Sequence, residues 1–158
     1  METDFAETLV ANMGDAVIFA DRDGIIRYWN RGAVRLFGHT DDIAVGQSLD
    51  LIIPKPLCTR HWHGYNETMR TAKTRYGEGQ LLSVPAVRKD GKQISIAFTI
   101  LPFADLSGSL TGIAAVIRDV TTQFEEVRGL RRQLAAAQAQ PRAEPSPNAS
   151  DTPVGLVK

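Results

Sequence analysis

Two turns that contain Asp-Gly, at residues 21–24 and 89–92, constrain the fold of this chain more than any other feature. Each turn separates two short runs of β-favouring residues, an arrangement typical of β-hairpins. A fifth run follows, so that the five runs cover residues 16–20, 25–29, 81–88, 94–101 and 112–118. The helical patterns lie outside the hairpins, so strands and helices do not alternate. The sequence therefore predicts an α+β fold, a five-stranded antiparallel sheet with its helices on one face.

Helical patterns precede the first run and fill the interval between the hairpins. An amphipathic helix is predicted within residues 1–13, where apolar side chains follow helical spacing among acidic ones. Asn30 is a typical N-cap for a short helix that Gly38 closes. A longer helix is predicted over residues 57–72. The globular domain as a whole is expected to span residues 14–121.

The last run leads into a charged helical segment, residues 122–140, in which apolar side chains recur every three and four residues: Val127, Leu130, Leu134 and Ala137. This spacing is typical of the a and d positions of a short coiled coil and predicts a homodimer formed through this helix. A helix folded back on its own sheet would show the same pattern. Residues 141–158 are rich in proline and lack aromatic side chains, which predicts a disordered tail.

The composition excludes several classes of function. Equal numbers of basic and acidic residues, 18 of each, provide no basic surface for nucleic acid or an anionic membrane. The single cysteine, Cys58, excludes a disulfide framework and a thiolate zinc cluster. Without a long apolar run or a signal peptide, the protein is predicted to be cytoplasmic. No motif of a catalytic site is present, so we expect no enzymatic activity.

The order and spacing of several short segments make the region from about residue 10 to residue 121 resemble a PAS domain of the S-box type. The resemblance is carried by Gly46 and by residues 18–30, 33–38, 88–91 and 118–121. It implies a small sensory or dimerisation module. In many members of this family a ligand lies between the sheet and the long middle helix.

Within that family, the sequence Ile-Pro-Lys-Pro at residues 53–56, followed by Arg-His and then Tyr65, is similar to oxygen-sensing haem PAS domains of histidine kinases. The resemblance implies that haem b is bound and that His61 supplies the proximal bond to the iron. The helical spacing agrees with this role, because Leu57, His61, Tyr65 and Met69 recur every four residues and share one face. A buried histidine that only packs in the core would show the same spacing.

The same resemblance assigns residues on the opposite side of the pocket. Phe98 and Ile100 match the apolar wall of the haem kinases, and Leu82 falls near the arginine that stabilises bound oxygen there. An apolar residue at this position implies that the haem iron would bind carbon monoxide, nitric oxide or a second ligand from the protein. Arg75 lies where a partner of a haem propionate would lie, although a solvated charge at the helix end is the preferred explanation of this residue.

A departure from the haem family keeps other interpretations open. The tyrosine follows His61 one residue later than in the haem family, which indicates an insertion near Trp62. A cofactor-free module whose sheet face binds a partner, or a receptor for a small organic ligand, would fit the same fold. A flavin photoreceptor is not expected, because Cys58 lacks the Asn-Cys-Arg-Phe-Leu-Gln sequence of that class.

Only one of Tyr28 and Trp29 can face the pocket, since adjacent residues of a strand point to opposite faces. The sequence does not decide between them. The expected function is that of a stand-alone sensor whose output acts in trans, through a homodimer, a kinase or another regulator.

Overall fold

The structure is a computed structural model that describes residues 2–77 and 79–140. Its five strands are β1 (Ala16–Asp21), β2 (Ile26–Trp29), β3 (Leu82–Val87), β4 (Gln93–Ala104) and β5 (Leu110–Asp119). Its α-helices are α1 (Glu2–Asn12), α2 (Arg31–Phe37), α3 (Asp41–Ala44), α4 (Cys58–Thr71) and α5 (Thr121–Ala139). Two 3₁₀ turns, Leu49–Leu51 and Lys55–Leu57, precede α4. The predicted disordered tail, residues 141–158, lies outside the described residues.

The sheet has the strand order β2-β1-β5-β4-β3, and every neighbouring pair is antiparallel. The two predicted hairpins, β1–β2 and β3–β4, are therefore present, and β5 lies between them. This confirms the predicted α+β fold with a five-stranded antiparallel sheet. The strand β4 is longer than the predicted run 94–101 because its pairing with β5 continues past Pro102 to an irregularity between Phe103 and Ala104.

One face of the sheet, the inner face, forms the core with α2 and α4. The strand registers place two rows of side chains on this face: Ala16, Ile117, Phe98 and Leu82 in one row, and Ile18, Ala115 and Ile100 in the next. Phe37 of α2 and Tyr65 and Met69 of α4 are buried against this face. The helices that pack on the sheet thus share one face, as the sequence predicts.

Asn30 ties three elements together at the start of α2. Its Oδ1 accepts hydrogen bonds from the backbone N–H of Val17 (2.8 Å) and Ala33 (2.9 Å). Its Nδ2 donates to the carbonyls of Val10 (2.9 Å) and Asp15 (3.1 Å). The predicted N-cap is confirmed, and the same amide also fastens the end of α1 and the start of β1.

The chain divides after Phe124 into two compact units, so that α5 begins in the first unit and continues in the second. At the start of α5, Val120 N–H donates to the Ser95 carbonyl (2.9 Å), and Ser95 N–H donates to Thr121 Oγ1 (3.0 Å). Asp119 Oδ1 accepts from Thr121 N–H at 2.9 Å. These bonds fix the first turn of α5 to the edge of β4.

Candidate functional site

The inner face of α4 carries the stripe of side chains that the sequence predicts. Tyr65 and Met69 are buried, and Leu57 and His61 are half-buried. His63 is exposed, as expected for a residue on the other side of the helix. The stripe therefore faces the sheet. Leu57 lies in the 3₁₀ turn before α4, so His61 is the first residue of the stripe on the helix itself.

His61 has a buried ring nitrogen without a partner. Its Nδ1 is shielded from solvent and forms no hydrogen bond with any described residue. The rings of Trp62 and Tyr65 lie 4.9 and 5.7 Å from the imidazole, centroid to centroid. Burial lowers the pKa of His61, and the carboxylate of Asp50 opposes this shift only in part. The imidazole is therefore neutral near pH 7, the form in which histidine binds metals.

Tyr65 attaches α4 to the end of β1. Its hydroxyl donates to the carbonyls of Asp21 (2.6 Å) and Ala20 (3.3 Å). Burial raises the pKa of the phenol, and the carboxylates of Asp21 and Asp23 raise it further. Tyr65 thus acts as a neutral hydrogen-bond donor that holds α4 over the sheet.

Trp62 makes a contact that the sequence did not reveal. Its indole N–H donates to Asp50 Oδ1 at 2.7 Å, and its ring lies against Gly24 in the β1–β2 turn. A Cβ atom added at Gly24 would lie only 2.2 Å from two atoms of that ring. The sequence indicates Gly24 only as a turn residue and gives Asp50 no role, and only the folded chain brings both beside Trp62.

The opposite wall consists of the three sheet residues assigned by resemblance. Leu82 pairs with Phe98 across β3 and β4, and Ile100 lies two residues further on the same face. Phe98 in turn pairs with Ile117, which is buried in the core. Leu82, Phe98 and Ile100 are all half-buried on the inner face, so this wall is apolar.

Arg75 does not join this group. It is exposed in the loop after α4, and its charge lowers the pKa of Glu67, whose main interaction is a hydrogen bond from Arg70. Cys58 is half-buried at the start of α4, where its thiol is near the carbonyls of Ile53 (3.8 Å) and Pro54 (3.7 Å). Burial raises the pKa of this thiol, which does not favour a reactive thiolate.

Comparison with known protein families identifies the family to which this fold belongs. A family model described as PAS fold matches residues 10–125, which include all five strands and α4. The chain belongs to the PAS family.

Two curated relatives of this PAS domain are sensor proteins, and one solved structure shares its fold. It is 29% identical over 114 residues to the sensor protein FixL of Bradyrhizobium diazoefficiens, covering 72% of this chain and 22% of FixL. It is 25% identical over 132 residues to the oxygen sensor protein DosP of Escherichia coli, covering 84% of this chain and 16% of DosP. The chain thus spans less than a quarter of either relative. A PAS domain from Colwellia psychrerythraea has the same fold, with a TM-score of 0.67 and 18% identity over 77% of this chain and 99% of that one.

The register of the PAS sheet settles which of two adjacent aromatic residues points inward. Trp29 is buried, donates its indole N–H to the His39 carbonyl (3.0 Å) and packs against Phe37 at 5.4 Å between centroids. Tyr28 is exposed. Trp29 therefore belongs to the core beside α2 and is not part of the α4 stripe.

Within residues 2–77 and 79–140, no group of three or more His, Cys, Asp and Glu side chains is arranged to hold a metal ion. A haem iron bonded to one histidine does not require such a group. No helix in that same part of the chain is long and apolar enough to cross a membrane.

Proposed function

We propose that this PAS domain binds haem b through His61 and senses a diatomic gas or a change of redox state. The observation that carries the proposal is the buried Nδ1 of His61, which has no partner on the inner face of α4. A buried polar atom without a hydrogen bond costs about 1–3 kcal/mol. Reorientation of the ring on binding a ligand would relieve this cost.

The surrounding residues fit a flat, largely apolar cofactor. His61 is neutral, as an iron ligand must be, and Tyr65 and Met69 continue the same face of α4. Across from them, Leu82, Phe98 and Ile100 would contact the other side of the ring system. When bound, haem would supply an iron atom that takes up a diatomic ligand or changes its oxidation state.

The apolar wall determines which gas this pocket favours. Leu82 has no hydrogen-bond donor in its side chain, and Phe98 and Ile100 add none. Oxygen bound to iron is polarised and gains most from such a donor, whereas carbon monoxide gains little. We therefore expect a preference for carbon monoxide or nitric oxide. In this proposal Arg75, which is exposed in the loop after α4, would reach a propionate at the edge of the pocket.

The signal would leave the domain through an interaction in trans. In this proposal the protein is a cytoplasmic sensor without catalytic activity, and occupancy of the pocket shifts the population of a homodimer or of a complex with a kinase or regulator. The bonds that join Ser95 of β4 to the start of α5 provide a short connection, because Phe98 of the wall is only three residues away.

Absorption spectroscopy tests the haem assignment. We expect protein reconstituted with hemin and then reduced to show a Soret band that shifts with carbon monoxide. His61→Ala should abolish this band, and His63→Ala should retain it, because His63 is exposed on the other side of α4. Protein that stays colourless after reconstitution, or an unchanged spectrum in His61→Ala, would refute the proposal.

A cofactor-free interaction module is a second candidate, favoured by the outer face of the sheet. Leu101, Phe103 and Val116 are exposed there, and the ring of Phe103 packs edge-to-face with that of Phe19 at 5.3 Å between centroids. Exposed apolar side chains on neighbouring strands are typical of a protein-binding surface. Protein that stays colourless and loses its binding partner on Leu101→Ser would favour this candidate. Stabilisation of the protein by a small organic molecule would instead indicate a receptor for such a ligand.

A further inference from the structure

A cleft with a volume of about 450 Å³ opens at the β2 edge of the sheet. Its lining comes from four elements: the end of α1, the strand β2, the first half of α2 and the start of α3. Clefts of this volume are typical of binding sites for small molecules. All of its lining residues lie between Ala11 and Asp41, so the cleft is separate from α4 and from the pocket proposed for haem.

Two opposite charges line this cleft, Arg31 and Asp41. Arg31 is the first residue of α2, and Asp41 is the first residue of α3. Both side chains are exposed, and neither forms an ion pair with any residue that the structure describes. Because the N-terminal end of a helix carries a positive partial charge, the charge of Arg31 is unfavourable for α2. A role in stabilising the helix therefore does not account for this arginine.

Backbone hydrogen bonds hold the start of each of these helices in place. The side-chain amide of Asn30, which precedes Arg31, makes four hydrogen bonds to backbone atoms of other residues. Before Asp41, the Thr40 carbonyl accepts a hydrogen bond from the Ala44 backbone N–H at 2.9 Å. Both charged side chains thus start from fixed points of the backbone. Groups that are held in place before a ligand arrives lose less entropy when they bind it.

The cleft also has an apolar part. Trp29 is buried, and its indole N–H is already bonded to the His39 carbonyl, so only carbon atoms of this ring remain for a ligand. Val34 is half-buried and adds aliphatic surface, and the exposed ring of Tyr28 adds aromatic surface. The cleft therefore combines one cation, one anion and an apolar surface large enough for a small side chain.

The end of α1 adds negative partial charge to the cleft. Ala11 and Asn12 line it, and both lie in the last turn of this helix, which contains no basic side chain. Carbonyl groups at the C-terminal end of a helix attract cations. Asp41 and the end of α1 would therefore both favour an ammonium group in the cleft, whereas Arg31 would favour a carboxylate.

We propose that this cleft binds a free α-amino acid with an apolar side chain. Its carboxylate would bond to Arg31 and its ammonium group to Asp41, while its side chain would contact Trp29 and Val34. The ligand would thus connect α1, α2 and α3. This inference goes beyond the proposed function and depends on neither haem nor a homodimer.

Isothermal titration calorimetry of the full chain tests the class of ligand, with free leucine, methionine and phenylalanine as probes. The matched controls are the amide of each amino acid, which lacks the negative charge, and the N-acetyl derivative, which lacks the positive charge. We expect at least one free amino acid to bind, and its two derivatives to bind about tenfold more weakly because each loses one charged hydrogen bond. Equal binding of free and blocked forms would overturn the proposal, and so would no binding of any probe at millimolar concentration.

Four variants test the location of the site. Arg31→Gln and Asp41→Asn should each weaken binding about tenfold. Asp42→Asn and Arg60→Gln remove exposed charges outside the cleft and should leave binding unchanged. All four side chains are exposed, so the variants should fold, and far-ultraviolet circular dichroism checks this.

The derivatives and the variants together test the orientation of the ligand. The amide has already lost its partner for Arg31, so Arg31→Gln should not weaken its binding further. The N-acetyl derivative should likewise be insensitive to Asp41→Asn. An amino acid that binds equally well to both cleft variants occupies another part of the protein, and this result would refute the assignment of the cleft. The Soret experiment with His61→Ala answers the question of haem separately.

Discussion

Replacing Gly24 with alanine should destabilise the protein through the indole of Trp62. Gly24 has a φ of +73°, which costs an alanine about 1 kcal/mol. The added Cβ would lie 2.2 Å from the Trp62 ring, so the ring must move and its hydrogen bond to Asp50 is strained or lost. Overpacking and the lost bond add about 1–3 kcal/mol. We expect Gly24→Ala to lower the free energy of unfolding by about 2–4 kcal/mol.

A double-mutant cycle isolates the contact with the indole. In a Trp62→Leu background the shorter side chain leaves room for the Cβ, so Gly24→Ala should cost only the backbone penalty of about 1 kcal/mol. The matched control is Gly46→Ala. Gly46 also has a positive φ, +91°, but an added Cβ there meets nothing within 4 Å. Its cost should therefore be the same with and without Trp62.

Urea denaturation followed by far-ultraviolet circular dichroism measures these free energies without depending on tryptophan fluorescence. A Gly24→Ala protein that is as stable as the Gly46→Ala protein would refute the reasoning. An unchanged cost of Gly24→Ala in the Trp62→Leu background would also refute it, because the penalty would then lie in the backbone alone.

Three further predictions concern single residues. Asn30→Ala removes four hydrogen bonds, one buried and three partly buried, and should lower the free energy of unfolding by about 3–5 kcal/mol, measured by urea denaturation. Ala72→Gly should raise it by about 1 kcal/mol in the same assay, because Ala72 ends α4 with a φ of +54° that glycine adopts freely. The hydrogen bond from Arg118 lowers the pKa of Asp15 below its ordinary value of 3.8. This carboxylate therefore stabilises the fold above about pH 4 and loses that effect as the pH falls, so Asp15→Asn should weaken the acid dependence of the melting temperature.

The local features of the fold could be predicted because they act within a few residues. The Asp-Gly turn at residues 21–24 and the caps Asn30 and Gly38 each bond to backbone atoms three or four positions away. The helical stripe through His61 also depends only on the helical period. These signals lie within a few neighbouring residues, so the sequence alone is enough to predict the turn, the caps and the stripe.

The parts that could not be predicted depend on the register of distant segments. The orientation of Tyr28 and Trp29 follows from the pairing of β1 with β2, which contains an irregularity between Phe19 and Ala20. A shift of one residue reverses the two faces of a strand. The contact of Trp62 with Asp50 and Gly24 likewise needs α4 to lie over the β1–β2 turn, and no spacing within the chain indicates that position.

The position of β5 between the two hairpins has a consequence for how the chain folds during synthesis. Each hairpin can form as soon as its own residues have emerged, but β1 pairs with a strand that begins at Leu110. Until that strand is complete, one edge of β1 and one edge of β4 are both unpaired and open to association with other chains. Pairing between such distant residues also slows folding. Of the five described strands, β5 is translated last and joins the two halves of the sheet, so we expect a nascent chain that ends before Leu110 to form the two hairpins without joining them.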